Sequence, residues 1–430
     1  MKKQNHLFQG LHTFILLWST QAFSTLGSSM TSYALILWSY QQKGSALTTA
    51  LLSVCSYAPY VLLSIFAGAL SDRWNKKYTM LVCDSMAALS TVFILVLLLT
   101  GHLRIWHLYL INTLNGLMNT VQQPASDVAV SLLTPQNQYQ RVGGMRSFSN
   151  SLVTILSPVI ASTIFAFWGL TAVIAFDLLT FTAAFITLAF FIKIPDQIRK
   201  EEDKEPSLLK ASREGLNYLK CNRGILGLIL FLSAINLTAS IYNAALPAML
   251  LSRNGGSPSA LGLVNACSGL ANLAGSILIS FGRPPKSRVR AICNSLLFSM
   301  STENFFLALG QSTPLWCLGA ILGWICIPVM NTNLEVILRS NIPIALQGRV
   351  YSVRNALQFF TIPIGYLLGG ILVDKVFEPF MAVRPTGSIF LQILGSGKGS
   401  GAALLFLLLG FIGSTTCLLF RRNKYIWELE

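Results

Sequence analysis

Polar side chains recur at helical spacing inside the apolar runs of this chain. Gln21, Ser24, Thr25, Ser28 and Ser32 share one face of a helix. Asn112, Asn115, Asn119 and Gln122 share a second, and Ser233, Asn236, Ser240 and Asn243 a third. Amides and hydroxyls exchange hydrogen bonds with a neutral ligand or with a neighbouring helix, and turned toward lipid each unmet group would be costly. The stripes therefore line a cavity or join helices. Asp177 and Glu303 also lie within apolar runs. A carboxylate there is a candidate proton carrier, and the alternative is a structural hydrogen bond. Asp84, Asp127 and Glu335 fall nearer the inner ends of their runs and read as interfacial or gate pairs, with Arg141, Arg146, Arg349 or Arg354 as candidate partners and the pairing left open by the sequence.

Other chemistries lack their residues. There is no G-x-x-x-x-G-K-[ST] loop for nucleotide phosphates, and His6, His12, His102 and His107 form no zinc-like pair of clusters. The eight cysteines contain no C-x-x-C and read as small core side chains. No metal, no cofactor and no enzymatic step is expected. Work on a solute would draw on an ion gradient or on the solute's own gradient.

The elements that must position these residues are membrane helices. Of 430 residues 53% are hydrophobic and 11% charged, with a mean hydropathy of +0.60; soluble chains carry about 25% charged residues. A soluble enzyme, a secreted domain and a disordered chain are excluded. A span takes roughly 20 residues. Apolar runs predict twelve, at 11–39, 46–70, 78–100, 105–125, 146–167, 170–193, 225–251, 260–281, 289–310, 314–337, 351–373 and 401–420. The first follows Lys2 and Lys3 but is too long for a signal peptide, so it is expected to be retained.

The net charge of +15 reads as cations in cytoplasmic loops, not as a nucleic-acid surface. With both termini inside, 25 Lys and Arg fall on inner segments and 6 on outer ones. The expected organisation is a six-helix half at 1–193, a cytoplasmic linker at 194–222 and a second half at 223–430. Within the linker, Leu208 to Leu219 could form an amphipathic helix at the inner interface.

Two inner loops share a spacing. Pro135-x5-Arg141-Val142-x3-Arg146 and Pro343-x5-Arg349-Val350-x3-Arg354 lie 208 residues apart, each ahead of a helix containing proline, Pro158 or Pro363. Duplicated halves of this kind characterise many secondary transporters, with the substrate near mid-membrane. The loop after the second span reads Gly68-Ala69-Leu70-Ser71-Asp72-Arg73-Trp74-Asn75-Lys76-Lys77. Gly68 allows close helix approach, Asp72 suits the positive end of a helix, and Arg73, Lys76 and Lys77 suit lipid phosphates or facing carboxylates.

That loop resembles the Gly-x-x-x-Asp-Arg-x-Gly-Arg-Lys signature of the major facilitator superfamily, with Asn75 and Lys76 as departures. Pro124-Ala125, Ile194-Pro195, Gly348-Arg349-Val350, Phe377-Glu378-Pro379 and the run Gly395 to Gly399 resemble its macrolide-efflux type, a group that includes siderophore exporters. Ser157-Pro158 stands where the antiporter signature has Gly-Pro, and Asn115 where the fourth helix usually has Arg.

The resemblance implies an all-α membrane protein of twelve transmembrane helices in two pseudo-symmetric six-helix halves. Gly68, Asp72, Arg73, Lys76 and Lys77, with Arg141, Arg146, Arg349 and Arg354, would form the conformational gate. The first, fourth and seventh helices would face the cavity, making Gln21, Ser24, Thr25, Ser28, Asn112, Asn115, Asn119, Gln122, Asn236, Ser240 and Asn243 substrate-cavity candidates, with Asp177 and Glu303 as proton-coupling candidates. The implied activity is multidrug or macrolide efflux by proton antiport, hence antibiotic resistance, from a multi-pass monomer in the cell membrane. Its partners would be a small-molecule substrate, protons and lipid, with no nucleic acid. The alternatives are a siderophore or metabolite exporter and, from another class, a non-transporting receptor or scaffold.

Overall fold

A computed structural model describes residues 12–134, 139–194, 208–253, 255–281, 285–385 and 388–429. Lys2, Lys3, Pro135, Arg283 and linker positions 195–207 lie outside them. The described residues form helices and no strand. In chain order these are α1 (His12–Lys43), α2 (Ala46–Arg73), α3 (Lys76–Leu99), α4 (Ile105–Leu133), α5 (Tyr139–Ile186, continued by a π turn at Thr187–Phe191), α6 (Leu208–Cys221), α7 (Arg223–Ser252), α8 (Pro258–Phe281) and α9 (Arg288–Leu309). There follow α10 (Thr313–Trp324), α11 (Ile327–Asn341), α12 (Ile344–Phe359), α13 (Thr361–Ile371, continued by a π turn at Leu372–Phe377), α14 (Glu378–Ala382), α15 (Ile389–Leu394), α16 (Ser400–Arg421) and α17 (Lys424–Trp427).

Local chemistry explains the boundaries. Asn75, the departure from the loop signature, is the N-cap of α3, its side chain accepting from the Tyr78 amide at 3.1 Å. Gly169 breaks α5 at φ 75°, ψ −173°, a conformation open essentially to glycine alone, and so separates the two runs expected at 146–167 and 170–193. The tenth expected span is interrupted between α10 and α11. Pro328 has no N–H and its ring meets the carbonyl of Trp324, where α10 stops. Pro363 does the same to Phe359, the end of α12.

Among the described residues, eight helical stretches are long and apolar enough to cross a membrane, including Lys76–Leu99, Phe148–Phe191, Arg223–Ser252 and Ser400–Arg421. Large apolar side chains such as Leu62, Leu179, Phe190 and Leu278 stand exposed on their outer faces, where lipid is the matching solvent. The protein is a multi-pass membrane protein.

The chain divides into two compact units, one of Met1–Trp38 and Cys55–Glu205, the other of Ser39–Val54 and Pro206–Glu430. The division is thus not a single cut in the linker, because the tip of the α1–α2 hairpin belongs with the second unit. Asp374 holds it there, accepting from Ser45 Oγ at 2.5 Å and from the Ala46 and Leu47 amides at 3.0 and 2.9 Å, so a carboxylate caps the start of α2.

The first unit's core includes Leu17, Met80, Ala125, Ala129, Leu188 and Ile192. The second is built around Phe231, Leu232, Ile292, Leu296, Leu338 and Val350. Helix α6 covers the stretch expected to be amphipathic. It packs on α12, buries Leu219 in that second core and donates from the Tyr218 hydroxyl to the Asn341 carbonyl at 2.6 Å.

Candidate functional site

Within the first unit, α1, α2, α4 and α5 enclose a cavity of about 680 Å³. Its polar lining comes from Trp18, Gln21 and Thr25 on α1, Tyr60 on α2, Asn119, Gln122, Gln123 and Ser126 on α4, and Arg146, Ser149 and Asn150 on α5; Phe14, Leu17, Val130 and Val153 supply apolar wall. The Trp18 indole N–H donates to Ser149 Oγ at 3.2 Å and ties α1 to α5. Neutral amides, hydroxyls and an aromatic ring on an apolar wall are the ordinary furniture of a small-molecule site.

Behind this lining stands Asp84 on α3. Its carboxylate accepts from Gln122 Nε2 at 2.5 Å and from Gln21 Nε2 at 3.4 Å. The sequence offers arginines as candidate partners for Asp84, and the structure supplies two amides instead. Arg146 is engaged elsewhere, by Asp127 on α4 at 2.5 Å.

Of the first-helix and fourth-helix candidates, Gln21, Thr25, Asn119 and Gln122 line the cavity, and Ser24, Ser28, Asn112 and Asn115 do not. Ser28 donates to Asp177 at 3.0 Å, and Asn112 donates back to the Leu108 carbonyl of its own helix at 2.9 Å. The Asn115 side-chain oxygen is buried without a hydrogen-bond partner. Asp177 is buried in the second part of α5, close against Gly27, where a Cβ would lie 3.1 Å from its carboxylate.

The seventh-helix stripe is used differently. Asn236 donates to the Gln358 carbonyl at 3.0 Å, and Ser240 is buried against Gly365 of α13, where a Cβ would meet the Ser240 Cβ at 2.6 Å. Asn243 is exposed. Glu303 is buried on α9, accepting from Trp324 Nε1 at 2.8 Å and facing the Tyr242 hydroxyl; Gly323 allows α10 to approach it.

The expected gate residues separate into groups. Lys77 donates to the Ala189 and Ile192 carbonyls at 2.8 and 2.7 Å, capping the end of the Thr187–Phe191 turn, not a phosphate or a carboxylate. Lys76 is buried and donates to the Trp74 carbonyl at 3.1 Å. Arg146–Asp127 at 2.5 Å and Arg354–Glu335 at 3.5 Å are equivalent pairs, both members displaced by the 208 residues of the sequence repeat. Gly68, Asp72 and Arg73 at the end of α2, Arg141 on α5 and Arg349 on α12 have helical backbone, and their side chains lie outside the described part of the structure.

Sequence reasoning missed Trp18, Tyr60, Gln123, Ser149 and Asn150 as lining residues. Asn150 follows Arg146 by one helical turn, a signal that extending the search for polar stripes to the fifth helix would have found.

Residues 17–365 match the Major Facilitator Superfamily. The macrolide efflux protein A of Streptococcus pyogenes is 23% identical over 366 residues, 84% of this chain and 90% of that protein. That of Enterococcus faecalis is 23% identical over 325 residues, 75% and 99% of the two chains. Among solved structures, the nucleoside transporter NupG superposes with a TM-score of 0.67 at 13% identity, covering 96% of this chain and all of that one. A bacterial homologue of the iron transporter ferroportin, in an inward-facing state, gives 0.67 at 13%, covering 96% and 99%. At such identities the structures speak for the fold alone. The helical fold, the loop signature and the match over most of the length agree: this chain belongs to the major facilitator superfamily, as a transporter and not an enzyme.

Proposed function

We propose that this transporter exports a bulky amphipathic compound of the macrolide kind from the cell by alternating access, coupled to inward proton flow. The observation that carries the reading is the first-unit cavity, about 680 Å³ of apolar wall studded with Gln21, Asn119, Gln122, Gln123 and Asn150. Such a lining binds a large, weakly charged molecule through many modest contacts. The kinship to two macrolide efflux proteins supports it.

An anionic siderophore would need free cations. Arg146, the cation among the described lining residues, is already engaged by Asp127. Proton coupling is assigned to Asp177 and Glu303. Each accepts a hydrogen bond from a neutral side chain, Ser28 for the first and Trp324 for the second, so taking up a proton breaks no ion pair at those contacts.

Twelve spans follow from the same reading. Three further long helices, α1, α4 and α9, and the break at Gly169 bring the eight apolar stretches to twelve. The Gly68 to Lys77 segment and the four inner arginines are assigned to the gate. A monomer in the cell membrane with both termini in the cytoplasm completes the proposal.

The test is accumulation of a labelled macrolide in cells lacking their own pumps, with and without this protein. Lower accumulation, abolished by a protonophore and by Asp72→Asn, is the expected result. Unchanged accumulation with the protein confirmed in the membrane overturns the macrolide reading. Asp72→Asn without effect on measured export removes the gate assignment.

A further inference from the structure

Gln21 and Gln122 line the first-unit cavity, whereas Asp84, which holds both of them, does not. In the structure each glutamine turns its NH2 toward the Asp84 carboxylate, which accepts both hydrogen bonds. The carbonyl oxygen of an amide lies opposite its nitrogen. Gln21 Oε1 and Gln122 Oε1 are therefore directed away from Asp84, and neither has a hydrogen-bond partner among the described residues. On the cavity wall these two oxygens can accept from a bound solute.

We infer that Asp84 is a positioning residue for substrate selection: by fixing two glutamine amides from behind, it makes this wall of the cavity an array of acceptors that reads the hydrogen-bond donors of the substrate. The substrate class is then an amphipathic compound presenting hydroxyl or amine N–H groups toward α1 and α4. Arg146 adds donors to the same cavity, but its guanidinium is engaged by Asp127 and does not cancel the acceptor wall. The inference rests on the proposal that this cavity takes an amphipathic solute, and it adds which chemical face of the solute is read.

The experiment measures equilibrium binding to the purified full chain in detergent, using two probe pairs. One is erythromycin with its fully O-methylated derivative, and the other is ethidium with its tetra-N-methylated derivative. The second member of each pair lacks the hydroxyl or arylamine donors of the first, while the protonated dimethylamino group is common to both macrolides. The unmodified protein is expected to bind the donor-bearing member of a pair on the order of tenfold more tightly. Asp84→Asn offers an N–H of its own, so one glutamine turns over and presents its NH2 to the cavity. The preference should shrink to about twofold. Gln122→Leu removes one acceptor with Asp84 intact and should shrink it likewise. A merely structural role for Asp84 would change both members of a pair equally and leave their ratio unmoved.

Binding of the macrolide pair without preference overturns the inference and leaves the export proposal standing. Preference retained in a folded Asp84→Asn protein also overturns it. Binding of neither macrolide with a tenfold preference in the ethidium pair removes the macrolide reading and keeps the acceptor wall. Binding of none of the four overturns both.

Discussion

The polar stripes of α4 and α7 have the same spacing and both carry asparagines, yet one borders a cavity and the other joins two helices. Asn119 and Gln122 face open space. Asn236 and Ser240 meet the α12–α13 segment, with Asn236 bonded to the Gln358 carbonyl and Ser240 packed on Gly365. The difference lies in what faces each stripe. Glycines at 365 and 369 let α13 come so near that added Cβ atoms would lie 2.8 Å from the carbonyls of Leu237 and Ile241. Opposite α4, the side chains of Trp18, Gln21 and Asn150 keep the walls apart. A polar stripe says that a helix face avoids lipid; the size of the residues across from it decides whether a ligand can enter.

Substitutions can break this comparison. The largest effect is expected from Gly365→Val, which forces a branched side chain against Ser240 and the Leu237 backbone. It should destabilise the protein by about 3 kcal/mol, read as a fall of several degrees in thermal unfolding in detergent. Asn236→Leu leaves the Gln358 carbonyl short of a donor and should cost about 1–2 kcal/mol by the same measurement. Asn119→Leu abandons no described side-chain bond. Its stability should stay within about 0.5 kcal/mol of the parent, while export of a labelled macrolide falls. Equal destabilisation by Asn119→Leu and Asn236→Leu would show that both stripes join helices and would end the comparison.

The repeated ion pairs sharpen it at a smaller scale. Arg146–Asp127 is closer but more open, with side-chain exposures of 35% and 49%; Arg354–Glu335 is longer, with the arginine at 13% and a further bond from Nε to Gln358 Oε1 at 3.1 Å. Solvent screening keeps both couplings in the range of about 0.2–1 kcal/mol. A double-mutant cycle on each should return values within that range, and a coupling above 2 kcal/mol for either would contradict it. Each arginine reaches a carboxylate on the preceding helix, 19 residues earlier in the chain, so the duplicated spacing carries a duplicated contact.

Much of the architecture was legible because hydrophobic runs and helix breakers act locally. Gly169 at positive φ and Pro328 and Pro363 at helix interruptions sit where such residues must sit. The 208-residue repeat was visible as spacing alone. The partners were not. Asp84, Asp127 and Glu335 stand alike near the inner ends of their runs with arginines as candidate partners; Asp127 and Glu335 meet one, and Asp84 meets two glutamines. Lys77, whose place in the loop suits a phosphate or a carboxylate, caps a helix end 112 residues away. Nothing along one helix states which side chain of another will stand within 3 Å.

Composition and periodicity by themselves determined that the chain crosses a membrane as helices and that three of those helices carry a polar face, because burial of apolar surface and satisfaction of the backbone are decided residue by residue. Tertiary structure alone decided which polar face encloses a volume and which is closed. It also decided that Asp84 governs the orientation of two amides on other helices. Those outcomes depend on the separation and rotation of neighbouring helices, which are set by side-chain volumes meeting across the contact.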